Sequence, residues 1–199
     1  LRRCPARSFT VVGDLDQARG HQRPANWEKA LGPAKRGLSS EFILTVSYRT
    51  PATVTTLAQQ VLSDLGQPPL YPLTSAREVE DALADTVVQG DDTNGDREED
   101  HLWKAVQDVV AQEESLLDAT TGHGMGRIGV LVADKRAHRW RGDIFGSTAL
   151  DHRVSVLSVA GAKGLEFDTT IVVEPTEILS DGPGDLFVAM TRCTKRLHS

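Results

Sequence analysis

Apolar residues in this chain come in short continuous runs separated by polar, glycine-rich or proline-rich stretches. Ser8 to Val12 is β-rich and stops at Gly13-Asp14, as a buried parallel strand does before a loop. Phe42 to Val46 predicts a second buried strand. Three further runs, Arg127 to Ala133, Val154 to Val159 and Thr169 to Val173, predict three more. Between them the period changes to that of helices. Trp27 to Leu31 is a short helical patch. Thr50-Pro51 starts a helix that runs to about Leu65, with Val54, Leu57, Ala58, Val61 and Leu62 on one face. Gly66 is its stop. Leu102 to Leu117 is helical through Val106, Val109, Val110 and Leu116. A short helix from about Asp185 to Thr191 follows Gly182-Pro183-Gly184, and Arg196-Leu197-His198 is strand-like.

The intervening stretches are less regular. Gln67 to Ser75 carries Pro68, Pro69 and Pro72 and predicts an extended connection. Val79 to Val88 fits helix or strand, with helix favoured. Gln89 to Asp100 holds six Asp or Glu and no apolar residue, so it predicts a solvated loop or disordered insert. Thr120 to Gly126 predicts a glycine-rich loop. Strands alternating with helices, the strands continuously apolar, imply an α/β fold: a parallel sheet covered on both faces. Ligands of such sheets sit at the carboxyl ends of the strands. Gly13-Asp14, Tyr48-Arg49 and Gly161 to Lys163 all follow a predicted strand, and that edge is where chemistry is expected.

Composition narrows the function classes. The 199 residues suffice for a real core, with 39% hydrophobic and 25% charged residues. The formal charge of -6 argues against tracking duplex DNA by bulk electrostatics, although a local basic patch is compatible with it. Cys4 and Cys193 lack metal-ligand spacing and read as reduced structural thiols of a cytoplasmic protein. No apolar run approaches the roughly 18 residues of a membrane span. The start at Leu1 reads as that of a piece cut from a longer protein.

Four clusters carry the candidate chemistry. They are Val12-Gly13-Asp14-Leu15-Asp16-Gln17, Tyr48-Arg49-Thr50-Pro51, Ala162-Lys163-Gly164-Leu165-Glu166-Phe167-Asp168, and Phe187 to Leu197 with Ala189-Met190-Thr191-Arg192 inside it. An arginine at the end of such a run can be held rigidly toward a phosphate, since its planar fork is always charged and matches phosphate oxygens. Blander readings stand beside these. Gly13-Asp14 is also a simple turn, Tyr48 a half-buried core aromatic, Arg49 an ion-pair partner, and Lys163 and Glu166 loop charges. Asp168 reads as a loop end and not a metal ligand. Lys195 and Arg196 read as a solvated face. The Gly122 to Gly126 run lacks a following Lys-Ser/Thr and is no phosphate cradle. No metal site is predicted.

Together, and in this order, the clusters resemble motifs III to VI of superfamily 1 helicases of the UvrD/Rep type. The resemblance runs from about Phe9 to the end, with no motif between Pro72 and Arg127. It implies a RecA-like lobe that lacks its own P-loop. Residues 1–47 would be the tail of a first lobe. Residues 48–199 would be the second lobe, with the acidic insert near 89–100. It further implies that Gln17 senses the γ-phosphate or attacking water. Tyr48 would stack on adenine, and Arg49 and Arg192 would reach the γ-phosphate. Glu166 would bind near the ribose, and Gly164 would shape the nucleotide loop. Asp14, Ser158 and Lys163 would couple the nucleotide and nucleic-acid sites. The chain has no Gly-x-x-x-x-Gly-Lys-Ser/Thr and no Walker B pair. ATP and Mg²⁺ are therefore expected only in the full-length protein, in a site completed by the upstream lobe, and the isolated chain is expected to be inactive.

One departure narrows the family. DNA-unwinding members place a base-stacking aromatic shortly after the motif III glutamine. Here Gln17 is followed by Ala18-Arg19-Gly20-His21-Gln22-Arg23-Pro24, and Trp27 arrives late, reading as a core residue. Ala160 stands where many members have a strand-contacting His. The pattern is similar to the HelD-like helicases of Gram-positive bacteria, which implies RNA polymerase as partner. The alternatives are a 3′-to-5′ DNA helicase acting on single-stranded DNA in repair, and a degenerate lobe that only binds protein.

Overall fold

The computed structural model describes residues 10–37, 40–88, 95–140 and 152–199, the side chains of 35–37 and 95–98 aside. In chain order the elements are α1 (Trp27–Leu31), a 3-10 turn (Gly32–Gly37), β1 (Val46–Ser47), α2 (Ala52–Asp64), β2 (Thr74–Ser75), β3 (Leu83–Ala84), α3 (Gly95–Thr121), β4 (Ile128–Val132), α4 (Asp134–Trp140), β5 (Val154–Ser158), α5 (Val159–Ala162), β6 (Phe167–Val172), α6 (Pro175–Asp181), α7 (Pro183–Met190) and β7 (Cys193–His198). The main sheet has the order β3-β7-β6-β4-β5, and every neighbouring pair is parallel. β1 and β2 form a separate parallel pair.

Alternating side chains of the central strands enter two cores, as the pleat requires. Leu131, Phe167, Val172 and Leu197 pack with α2, α5, α6 and α7 on one face. Ile128, Val130, Val132, Val154, Val156, Ile171 and Val173 pack with α3 and α4 on the other. The sheet is thus covered on both faces, the α/β arrangement expected of a RecA-like lobe. A Cβ on Gly129 would run into the Phe167 ring, so glycine lets that ring cross the sheet.

Several sequence expectations are corrected. Residues 10–12 form no strand, and Val12 is 90% exposed; residues 8 and 9 lie outside the described set. Phe42, Ile43 and Leu44 are exposed and irregular, with only Val46–Ser47 paired. The apolar runs are there, but apart from β2 beside Val46–Ser47 no strand lies along them among the described residues. Val79 to Val88 is not helical: its Leu83–Ala84 adds to β7 as an edge strand. Residues 95–100 of the expected acidic loop are the first turns of α3; residues 89–94 lie outside the described set. Acidic residues favour a helix start, and Glu99 is held by Arg136 and Trp140. Trp27 is half-buried in neither core, its ring lying against Gly13. Arg196 is not a solvated face: it pairs with buried Glu113 at 3.0 Å. Lys195 reaches Asp168 at 3.0 Å and Thr121 at 2.6 Å. Helix α2 matches its reading, although Leu57 faces solvent and Thr55 is buried instead.

Candidate functional site

The site begins with a tight turn. The Asp14 carboxylate accepts from the Asp16 backbone N–H at 2.9 Å and from Gln17 Nε2 at 2.8 Å. That leaves Gln17 Oε1 free to point elsewhere, and it accepts from the Arg192 guanidinium at 3.4 Å. Lys163 Nζ, following α5, donates to the Gln17 carbonyl at 2.8 Å. Asp16 turns the other way and is buried, pairing with Arg23 and accepting from Leu70 N–H at 3.1 Å. Burial pushes its carboxyl above the ordinary value, the Leu70 N–H opposing this.

Arg192 is the centre of the arrangement. It follows α7 directly and leads into β7, so the helix C-terminus and a core strand fix its backbone. Its Nε donates to the Val188 carbonyl at 3.2 Å. The residue is only 3% exposed. No carboxylate lies within ion-pair distance of it among the described residues. Burial, and then the like charge of Arg49, bring its pKa down to about 10. A buried guanidinium without an anionic partner is costly and offers a place for an anion.

Arg49 approaches from β1 and donates to Glu166 at 2.7 Å. Both side chains are partly exposed, so this pair holds loosely. Thr50 Oγ1 donates to the Thr191 carbonyl at 3.2 Å, and Ser75 Oγ to the Thr50 carbonyl at 2.6 Å. These bonds lock the start of α2 beside the end of α7. Tyr48 is 77% exposed, which removes the core-aromatic reading and leaves its ring open for stacking. A shallow open cleft lined by Gln17, Arg49, Thr50 and Thr191 lies between these parts.

The structure therefore brings Asp14, Gln17, Lys163, Arg49, Glu166 and Arg192 into one connected group. Ser158 stands apart. It caps α5 through Gly161 N–H at 3.3 Å and hydrogen-bonds Asp134. Gly164 has φ +84°, so it supplies the turn into β6 that other residues resist. Asp168 accepts from the Arg127 N–H at 2.9 Å and is the second residue of β6, not the loop end expected of it. Glu166 and Arg192 immediately precede β6 and β7, so they lie at the amino ends of those strands, not at the carboxyl edge expected from the sequence. The crossover after β5 has to carry the chain back to that edge before a parallel β6 can start. Among the described residues no group of three acidic, His or Cys side chains suits a metal ion, and no helix is long and apolar enough to cross a membrane. Cys193 is buried, and burial pushes its thiol up to about 12; Cys4 lies outside the described residues.

Sequence reasoning missed Arg19, Arg23 and Asp185. Asp185 is 1% exposed in the first turn of α7. Arg19 pairs with it at 3.4 Å and with Asp134 at 2.7 Å. Arg19 and Asp185 meet across most of the chain, and Arg23, seven residues from its partner Asp16, carries no local pattern that marks it.

Residues 131–199 match the family described as viral superfamily 1 RNA helicase core domain. No curated protein matches the chain. Among solved structures, one similar chain is the C-terminal domain of a possible DNA helicase from Lactobacillus plantarum WCFS1. It is 16% identical, with 76% of this chain and 85% of that one covered and a TM-score of 0.47. Another is arterivirus nonstructural protein 10, a helicase in complex with DNA. It is 16% identical, with 82% of this chain and 27% of that one covered and a TM-score of 0.37. Over its C-terminal part, the chain is thus similar to the core of a superfamily 1 helicase.

Proposed function

We propose that this chain is the C-terminal motor lobe of an ATP-dependent superfamily 1 helicase or translocase. The observation that carries this is Arg192: a buried cation with no carboxylate partner among the described residues, touched by Gln17 and repelled by Arg49. Two arginines beside one glutamine form an end-on site for the outer phosphate of a nucleoside triphosphate. In other nucleotide hydrolases an arginine supplied this way is worth ~10³–10⁵ in rate. Glu166 and the exposed Tyr48 flank the same group and suit a ribose hydroxyl and a flat base. The donor set is cationic, so it fits phosphate and not Mg²⁺. The P-loop and the metal ligands then belong to an upstream lobe, and residues 1–47 to that lobe's tail. Asp14 and Lys163, both bonded to Gln17, would pass a change at the phosphate to a nucleic-acid path, and Ser158 would line that path.

RNA polymerase is the partner we favour over single-stranded DNA. The resemblance to the HelD-like branch, the missing aromatic after Gln17 and the formal charge of -6 support it. The test is ATP turnover by the full-length protein alone, with single-stranded DNA and with RNA polymerase, beside Arg192→Ala. Turnover stimulated by polymerase, unmoved by DNA and lost in the variant is the expected result. Stimulation by DNA above polymerase would make the protein a DNA helicase. Turnover unchanged in the variant would remove Arg192 from the site.

A further inference from the structure

The segment from Asp14 to Arg23 lies on the C-terminal lobe as a strap. Ion pairs and close backbone packing fasten it there. Arg19 divides its guanidinium between two elements: Nη2 to Asp134 at 2.7 Å, at the start of α4, and Nε to Asp185 at 3.4 Å, in the first turn of α7. Asp185 is buried, and no hydrogen-bond donor reaches its Oδ1 among the described residues, so Arg19 is what balances its charge. The Gly20 N–H approaches the other oxygen at 3.4 Å. A Cβ on Gly182 would overlap the Gly20 carbonyl, and one on Gly184 would overlap the Ala18 carbonyl. The strap backbone therefore lies directly on the turn between α6 and α7. At its far end Arg23 donates to the Pro68 carbonyl at 2.9 Å.

From this clamp we infer that Arg19 is a positioning residue: its fork holds Gln17 against Arg192 from within the C-terminal lobe. The strap is then the piece of the first lobe's tail that stays docked on this lobe when the nucleotide site opens and closes. The argument is geometric. Gln17 stands two residues before Arg19, and α7 carries both Asp185 and, one residue past its C-cap, Arg192. One rigid helix thus fixes the clamp at one end and the buried guanidinium at the other. An arginine suits the clamp because its planar fork spans two carboxylates, which a lysine's single point charge does not. The functional part of the inference rests on the proposed phosphate site; the clamp itself does not.

The test uses the 199-residue chain with hydrogen exchange of residues 14–23 and calorimetric binding of tripolyphosphate. Arg19→Ala is expected to speed exchange in the strap by about tenfold or more while β4 and β6 are unchanged. It is expected to weaken tripolyphosphate by about fivefold, the scale of one partly exposed charge pair. Arg19→Lys recovers less than half of either loss. Asp134→Asn leaves Asp185 paired and gives a smaller step in the same direction; it decides the matter if Arg19→Ala fails to fold. Unprotected amides in the unaltered strap, or exchange unmoved by these variants, would overturn the clamp. Faster exchange with unchanged affinity would overturn the positioning role. If the unaltered chain binds tripolyphosphate no better than Arg192→Ala, the phosphate site fails instead, and the exchange result alone decides the clamp.

Discussion

At the residue scale the decisive quantity is the free energy of a buried charge. Burial, the chief cause, lowers the folded pKa of Arg192 from the ordinary guanidinium range to about 10. A base with a lowered folded pKa binds fewer protons in the folded state. Its contribution to stability therefore rises as pH climbs above about 10 towards the ordinary guanidinium range. Below that window the charge is carried at a cost, and an anion relieves it. Adding tripolyphosphate near pH 7 is accordingly expected to raise Tm, and Arg192→Met to abolish the rise. An equal rise in the variant, in a thermal melt, would place the anion elsewhere. Gly184 makes a second residue-scale case. Alanine there has no room beneath the Ala18 carbonyl, so Gly184→Ala is expected to cost about 1–3 kcal/mol, as overpacking does. Denaturant unfolding measures it, and a neutral result would mean the strap lifts without cost. Arg192 was named from its motif in the sequence, but its burial and the strap's contacts were not legible there. Arg19 and Asp185 meet across most of the chain, and no local pattern encodes that meeting.

Elements explain what was legible and what was not. β4, β5 and β6 are continuous apolar runs because both sheet faces are covered, and that pattern shows in sequence. β3 is two residues long and exists because β7 offers an edge, a tertiary cause. α4, α5 and α6 are too short for a period to declare itself. α2 was readable from Pro51 to Gly66, because Val54, Ala58 and Leu62 form a stripe at four-residue spacing that packs in the same core as α7. Leu62 is 2% exposed there, so Leu62→Ala is expected to destabilise by about 2–5 kcal/mol. A change in denaturant midpoint at constant slope would confirm it; a loss under 1 kcal/mol would mean the helix repacks. The strap has its own pH signature. Burial pushes the Asp134 carboxyl up, but the hydrogen bonds from Arg19 and Ser158 and the charges of Arg19 and His138 outweigh this, leaving it net below 3.8. An acid with a lowered folded pKa stabilises above its unfolded value and loses that support as pH falls through the folded one. Strap protection should therefore persist on acidification to pH 3.8 and fail only below it.

For the whole molecule, the telling feature is apolar sequence with nothing on it. Val12 is 90% exposed, Phe42 86% and Leu44 82%, in runs that read as buried parallel strands. The strand reading does not hold over the described residues, where only Val46, at the end of the second run, is paired in a strand. A single exposed apolar side chain needs no explanation, but two strand-like runs together mark a surface that something covers. A parallel sheet in the proposed upstream lobe would be such a cover, with these runs as added strands. The consequence separates this chain from the full-length protein. Changing Phe42 and Leu44 together to Asp removes no buried contact here, so the Tm of the 199-residue chain should stay within experimental error. In the full-length protein the same pair would bury two charges between lobe and sheet. Stability there should fall by several kcal/mol, the order of cost for unpaired buried charges, and ATP turnover should fall with it. Equal melting of the altered and unaltered full-length proteins would mean that these runs stay in solvent. Residues 1–47 would then belong with the C-terminal lobe throughout, as the strap already does.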